Sequence, residues 1–285
     1  MKNNYEIVFF GTDTFSTHIL DGLKTAGLLP KLIITVPDKK AGRGLILTPS
    51  IVKKWAELNK INTLEPEKLN DEFGLKLSAV GCDLFVVASY GKIIPQAILD
   101  IPKHKVLNVH PSLLPKYRGA TPIQSQILSN DKNVGVTIML IDAEVDHGPI
   151  ICSSKIYLEH WPVRSSELET ILGKEGGKIL SDTIPRWVEG SITPIVQNHQ
   201  EATFTKKIKK EDGLLDLSLD HYKNFLKFCA YENSIGVYFL VFKRNREIKV
   251  KITDAYFNDG IFKPKTVVPE GGRKMLYEDF LRGLS

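Results

Sequence analysis

A mostly parallel, twisted α/β sheet with helices on both faces, followed by a small β-rich domain, is the fold that this 285-residue chain predicts. Three observations carry it. Apolar runs alternate with amphipathic stretches to about residue 150, the rhythm of parallel strands joined by crossover helices. A polar stretch at 190–200 bearing Pro194 then breaks that rhythm. Beyond it, alternating segments at 237–242 and 248–252 flank a turn at Arg244, Asn245 and Arg246, which reads as a hairpin. The expected division is a catalytic domain at 1–189, a linker at 190–208 and a small, reduced barrel-like domain at 209–285.

The elements follow in order. Strands are predicted at 6–10, 31–36, 83–88 and 106–109, where β-branched and aromatic residues gather. Helices are predicted at 15–25, 49–59, 67–79 and 122–128 from apolar residues at helical spacing. Segments 134–141 and 149–158 read as two more strands, and 168–189 as a long amphipathic helix. In the second domain, 219–230 is a helix with Leu226 and Ala230 one turn apart on a face that Tyr222 also reaches. The first strand runs into Gly11-Thr-Asp-Thr-Phe-Ser, which lacks the further glycines of a dinucleotide fingerprint.

Composition narrows the class. With 42% hydrophobic and 25% charged residues the chain is an ordinary globular protein. No apolar run approaches the roughly 20 residues of a membrane span, and Met1-Lys-Asn-Asn-Tyr-Glu enters a strand without a signal-peptide pattern. A cytoplasmic protein with no membrane partner is expected. Cys82, Cys152 and Cys229 are scattered without metal-ligand spacing and read as small buried hydrophobes, so neither disulfide nor metal is expected. The net charge of +5 is unevenly placed: residues 1–204 hold 22 of the 38 cations and 22 of the 33 anions. The whole surplus lies beyond, as a basic appendage suited to a polyanion.

The chemistry concentrates in Asn108-Val-His110-Pro-Ser-Leu-Leu-Pro115-Lys-Tyr-Arg-Gly119 and in Asp146 of Ile141-Asp-Ala-Glu-Val-Asp-His-Gly148. Asn108 and His110 stand two residues apart on a strand and share a face. An amide donor, an imidazole and a carboxylate suit acyl transfer to an amine: donors meet the developing oxyanion while His and Asp handle protons. Taken alone, Asn-X-His after a strand is more often an ordinary strand end. Pro111, Pro115 and Gly119 crowd the residues that follow, so Ser112, Leu113 and Leu114 read as a rigid loop lying over something.

NVHPSLLPKYRGATPIQ followed by GVTIMLIDAEVDHGPII resembles the signature of the 10-formyltetrahydrofolate-dependent formyltransferases. The resemblance implies a Rossmann-like catalytic domain with Asn108, His110 and Asp146 as its catalytic trio. It implies a folate site built from Ser112, Leu113, Leu114 and Pro115, from Ala88, Tyr90, Gly91 and Ile93 of the 88–95 segment, and from Asp142. The formyl donor would be 10-formyltetrahydrofolate, with no metal.

The block PDKKAGRG, with Pro49, Ser50 and Lys53 after it, chooses the branch. Physically it is a basic, Gly-rich loop in which Gly42 and Gly44 let Arg43 press on phosphate or a base. It resembles the acceptor-end loop of methionyl-tRNA formyltransferases. By that resemblance the expected partner is initiator methionyl-tRNA, in translation initiation, and not DNA. Arg43, Gly42, Gly44 and the lysines Lys206, Lys207, Lys209 and Lys210 would contact it. The likeness thins after about residue 210: Glu232-Asn-Ser-Ile-Gly236 stands where the family has a Trp-Pro stretch, and the final barrel reads as shortened between Asp254 and Gly272. Alternatives are a sugar-nucleotide N-formyltransferase and a non-catalytic RNA- or folate-binding descendant.

Overall fold

The computed structural model describes residues 5–41, 44–243 and 246–284. They form two compact units: residues up to 119 with 133–156 and 169–204, and residues 120–132, 157–168 and 205 onward.

In chain order, β1 (Ile7–Gly11), α1 (Thr14–Thr25), β2 (Leu32–Ile34), a hairpin of β3 (Lys39–Ala41) and β4 (Ile46–Thr48), α2 (Ile51–Leu58) and β5 (Asn62–Leu64) come first. They are followed by α3 (Asp71–Ser78), β6 (Leu84–Ala88), α4 (Gln96–Leu99) and β7 (Val106–His110). Helix α5 (Pro122–Leu128) belongs to the second unit, while β8 (Val134–Leu140) and β9 (Ile150–Ile156) return to the first. Helix α6 (Ser165–Val188) begins in the second unit and continues in the first.

The first unit's sheet has the order β5-β2-β1-β6-β7-β8-β9. Strands β5 to β7 in that order are parallel, and β8 and β9 are antiparallel additions. The order reverses between β1 and β6, the switch beside which open α/β sheets hold their ligands. On one face Val8, Phe10, Phe85 and Val87 pack with Phe73 and Leu77 of α3 and Ile98 and Leu99 of α4. On the other, α1 and α6 approach closely enough to need glycine. A Cβ on Gly22 would stand 2.7 Å from the Cα and carbonyl carbon of Gly177.

Several elements differ from expectation. Helix α3 starts at Asp71 rather than 67 because Asn70 accepts the Phe73 amide at 3.1 Å and so becomes its N-cap. Strand β5, which pairs with β2, is too short and polar to show an apolar run.

In the second unit, α7 (His221–Tyr231) precedes β10 (Val237–Lys243), β11 (Arg246–Asn258), β12 (Ile261–Pro269), β13 (Met275–Leu276) and α8 (Tyr277–Arg282). The antiparallel sheet has the linear order β10-β11-β12-β13. Of the expected turn, Arg244 and Asn245 lie outside the described residues, and Arg246 already pairs with Lys243. Strand β12 occupies the stretch taken as shortened. Its Pro264 hides it, but Asp259 and Gly260, at φ +50° and +77°, make the two-residue turn that joins Asn258 to Ile261. Phe225 of α7 stacks on Phe257 at 5.3 Å, and Arg164 pairs with Asp254 at 3.0 Å. Among the described residues no helix is long and apolar enough to cross a membrane.

Gly22→Ala sets a gain in helix propensity of about 1 kcal/mol against overpacking of about 1–3 kcal/mol. Backbone cannot yield as a side-chain tip can, so overpacking wins. Thermal unfolding should show a midpoint lower by a few degrees; an unchanged midpoint would mean the helices part freely.

The three cysteines form no disulfide. Burial pushes the Cys229 thiol up to about 12 and the Cys82 thiol up to about 11, and raises that of Cys152. At pH 7.5 all three should be protonated, so a thiol reagent should label native protein far more slowly than denatured protein. Rapid native labelling at that pH would contradict this environment.

Candidate active site

The site is built on β7 and on the loops that follow β7 and β8. Strand β7 places Asn108 and His110 on one face, and β8 runs back beside it with Thr137 opposite His110 and Leu140 opposite Leu107. The loop after β8 is closed at its base by the Leu140 N–H donating to the Pro149 carbonyl at 2.9 Å. Within that loop Gly148 passes so near the strand that a Cβ there would lie 2.0 Å from the Leu140 carbonyl oxygen.

These constraints bring the trio together. Asn108 Nδ2 lies 3.5 Å from Asp146 Oδ1, and His110 Nδ1 lies 3.6 Å from Asp146 Oδ2. Both separations are at or beyond the long limit of a hydrogen bond, so the two donors face the carboxylate without being locked to it. The tighter contact on Asp146 is the Gly119 N–H, which donates to Oδ2 at 2.7 Å. His110 Nε2 lies 3.0 Å from the Tyr117 carbonyl. A carbonyl only accepts, so Nε2 carries a proton and Nδ1 is the ring atom that faces Asp146. Asp146 holds a left-handed backbone at φ +49°, uncommon outside glycine.

The residues expected to meet the donor are placed variously. Ser112 and Leu114 turn inward: both are buried, and the Ser112 hydroxyl donates to the Lys116 carbonyl at 2.7 Å. Thr137 of β8 staples this loop, donating to the Ser112 carbonyl at 2.7 Å and accepting from the Leu114 amide at 3.2 Å. Leu113 is half-buried, and a Cβ on Gly135 would meet its side chain at 2.5 Å; Pro115 is half-buried too. Ala88 ends β6 beside the strand that carries Asn108, with its carbonyl accepting from Ser16 Oγ at 2.7 Å. Gly91 is exposed and Ile93 is 92% exposed. The Tyr90 hydroxyl is buried without a hydrogen-bond partner among the described residues, and burial pushes it up to about 12. Asp142 Oδ2 accepts from His147 Nδ1 at 2.7 Å.

Of the basic residues, Arg43 and Gly42 lie outside the described residues, while Gly44 is exposed at φ +106°. Lys53 is spent within the fold, pairing with Glu65 at 2.8 Å and Asp38 at 3.0 Å, which raise its ammonium above the ordinary lysine range. In the second unit Lys206, Lys207, Lys209 and Lys210 are exposed, and none forms an ion pair among the described residues. No cluster of three or more His, Cys, Asp or Glu among the described residues is placed to hold a metal.

Two buried residues escaped sequence reasoning. Gln197 and Arg118 pack behind the Asp146 loop, each under 5% exposed. Nothing local in the sequence marks Gln197, which lies 51 residues from Asp146.

Comparison with known proteins bears on this geometry. Residues 5–184 match the formyl transferase family. The methionyl-tRNA formyltransferase of Chloroflexus aurantiacus is 38% identical, over 93% of this chain and 85% of the relative. That of Caldicellulosiruptor saccharolyticus is 33% identical, over 98% of this chain and 96% of the relative. Among solved structures, methionyl-tRNA formyltransferase from Clostridium thermocellum superposes with a TM-score of 0.62 at 17% identity, covering 93% of this chain and 98% of that one. The N-formyltransferase from Helicobacter canadensis, in complex with folinic acid and dTDP-3-aminofucose, gives 0.62 at 16% identity, covering 92% and 94%. Both share the fold.

Proposed function

This chain belongs to the formyl transferase family, and from that premise we propose that it moves the formyl group of 10-formyltetrahydrofolate to the α-amino group of initiator methionyl-tRNA. The observation that carries the reading is the meeting of Asn108, His110 and Asp146 in one loop-bounded site. The reaction belongs to translation initiation and to the cytoplasm.

The amine attacks the formyl carbon, and the carbonyl oxygen becomes an oxyanion. Asn108 Nδ2 and His110 Nδ1 donate to it, each such donor typically worth ~2.7–4 kcal/mol in a water-poor site. Asp146 faces and orients the His110 ring, and takes a proton from the attacking amine directly or through water. Collapse breaks the bond to N10 of the folate, which leaves with a proton, and the new amide keeps the formyl group. A donor lying along Ala88, Tyr90, Gly91 and Ile93 and over Leu113 and Pro115 suits what these residues offer. Ile93 is free to cover an apolar ring, and the Tyr90 hydroxyl lacks a hydrogen-bond partner among the described residues. With Ser112 and Leu114 facing inward, their share is backbone. Asp142 would act through the loop it shares with Asp146.

Methionyl-tRNA is the acceptor in the relatives' names. It also fits the exposed Lys206, Lys207, Lys209 and Lys210, with Arg43, Gly42 and Gly44 as the acceptor-end loop. A sugar nucleotide would need neither set.

Asn108→Ala or His110→Ala should lower kcat for formyl transfer by roughly a hundredfold or more with little change in folate affinity. Asp146→Asn keeps the shape and loses the charge, and should be similarly impaired; near-normal turnover would remove Asp146 from the mechanism. For the acceptor, replacing the four lysines together by Ala should raise KM for methionyl-tRNA and flatten its salt dependence. Arg43→Ala should impair tRNA transfer while sparing folate binding. If both variants keep the wild-type KM and salt slope, and an amino-sugar nucleotide is formylated faster, the acceptor is a small amine.

A further inference from the structure

The segment at 194–201 reads in sequence as a connection, yet it is anchored to the catalytic unit. Ile195 and Ile150 exchange backbone hydrogen bonds at 2.8 Å in an isolated antiparallel bridge. Two residues on, the Gln197 side chain is 4% exposed and fully engaged. Its Nε2 donates to the Asp146 carbonyl at 3.0 Å and to the Gly148 carbonyl at 2.7 Å. Its Oε1 accepts from Arg118 Nε at 3.2 Å and from the terminal Nη2 at 2.7 Å. Arginine only donates and backbone carbonyls only accept, so chemistry fixes which end of the amide points where.

Arg118 is itself held. It is 3% exposed, its Nη2 also donates to His199 Nδ1 at 2.9 Å, and its guanidinium lies 5.9 Å from the Phe204 ring centre. The His199 ring stacks on His147 at 4.1 Å and 4°. His147 is tied in turn to Asp142 of the same loop at 2.7 Å. Asp146 thus has its carbonyl gripped from behind while its carboxylate faces His110. A left-handed non-glycine residue at a functional site persists only where its surroundings over-determine it, and Gln197 is the side chain that reaches this carbonyl.

We infer that Gln197 is a positioning residue for the reaction: its amide, oriented by Arg118, holds the Asp146 backbone so that the carboxylate stands opposite His110 Nδ1 and Asn108 Nδ2. Gln197 touches no reacting atom. The inference rests on the reading that Asp146 serves formyl transfer.

Gln197→Glu is the decisive variant. It keeps the size and gives Arg118 a stronger partner, but it cannot donate to the two carbonyls. Gln197→Ala removes both sets of contacts. Wild-type formyl transfer to methionyl-tRNA is measured first, since its absence sinks the proposed function and not this step. With wild type active, Gln197→Glu should lose at least tenfold in kcat, with KM for folate and for tRNA within twofold. Its pH profile of kcat should shift, and its unfolding midpoint should stay within a few degrees of wild type. Gln197→Ala should lose activity at least as severely. If folded Gln197→Glu turns over within twofold of wild type with an unshifted pH profile, the inference is overturned. It is equally overturned if lost activity in both variants is accounted for by the unfolded fraction alone.

Discussion

Because β8 runs antiparallel to β7, it leaves the sheet opposite Leu107, at the far end of β7 from His110. A carboxylate supplied by the following loop therefore has to come back along the strand to reach the imidazole. That reversal governs the site. The loop is pinched at its base between Leu140 and Pro149, and Gly148 must lack a side chain to pass the Leu140 carbonyl. Asp146 takes up the remaining turn in a left-handed conformation, which costs of the order of 1–3 kcal/mol for a residue with a Cβ. The Gly119 amide offsets part of this, because a hydrogen bond to a charged acceptor contributes about 1.5–3 kcal/mol.

That same Gly119 contact couples the loop after β7 to the loop after β8. One end of the loop after β7 is bound to β8 by Thr137, and the other to Asp146. Between them the Tyr117 carbonyl sets which nitrogen of His110 is turned toward Asp146. Neither donor is drawn tight against the carboxylate, so in the proposed reaction an oxyanion arriving between them would displace no strong bond. A short, saturated Asn108–Asp146 contact would have to be broken first, and its loss would subtract from the stabilisation offered.

The parallel core was legible in the sequence because strands buried on both faces are written as near-continuous apolar runs, as at Ile7–Gly11 and Leu84–Ala88. Asn108, His110 and Asp146 were singled out by their residue types and by the resemblance of two motifs, and the structure brings the three side chains together. The rest depends on contacts that sequence spacing does not encode. Strand β12 was not read from the sequence, where Pro264 interrupts its alternation; a proline is tolerated there because the neighbouring strand, the two-residue β13, does not extend to it. The inward turn of Ser112 and Leu114 follows from the Thr137 hydroxyl on another strand. Gln197 was hidden for the same reason, in a polar stretch whose extended backbone looks like any connection.

The trio does not by itself choose an acceptor. An amide, an imidazole and a carboxylate stabilise a tetrahedral centre whichever amine produced it, so selectivity has to come from groups that recognise the remainder of the acceptor molecule. Under the proposed function those groups are basic, and the described ones among them are exposed. Lys53, the lysine of the Gly-rich block that pairs with Glu65 and Asp38, is consumed in holding the base of the β3–β4 hairpin. It steadies that hairpin rather than contacting a phosphate itself. Among the described residues Lys206, Lys207, Lys209 and Lys210 have no ion-pair partner to displace before meeting a phosphate. Their contribution is long-ranged and screened by salt, whereas that of the trio is short-ranged and geometric. Under that proposal acceptor choice and chemical rate are set by different physics on different residues.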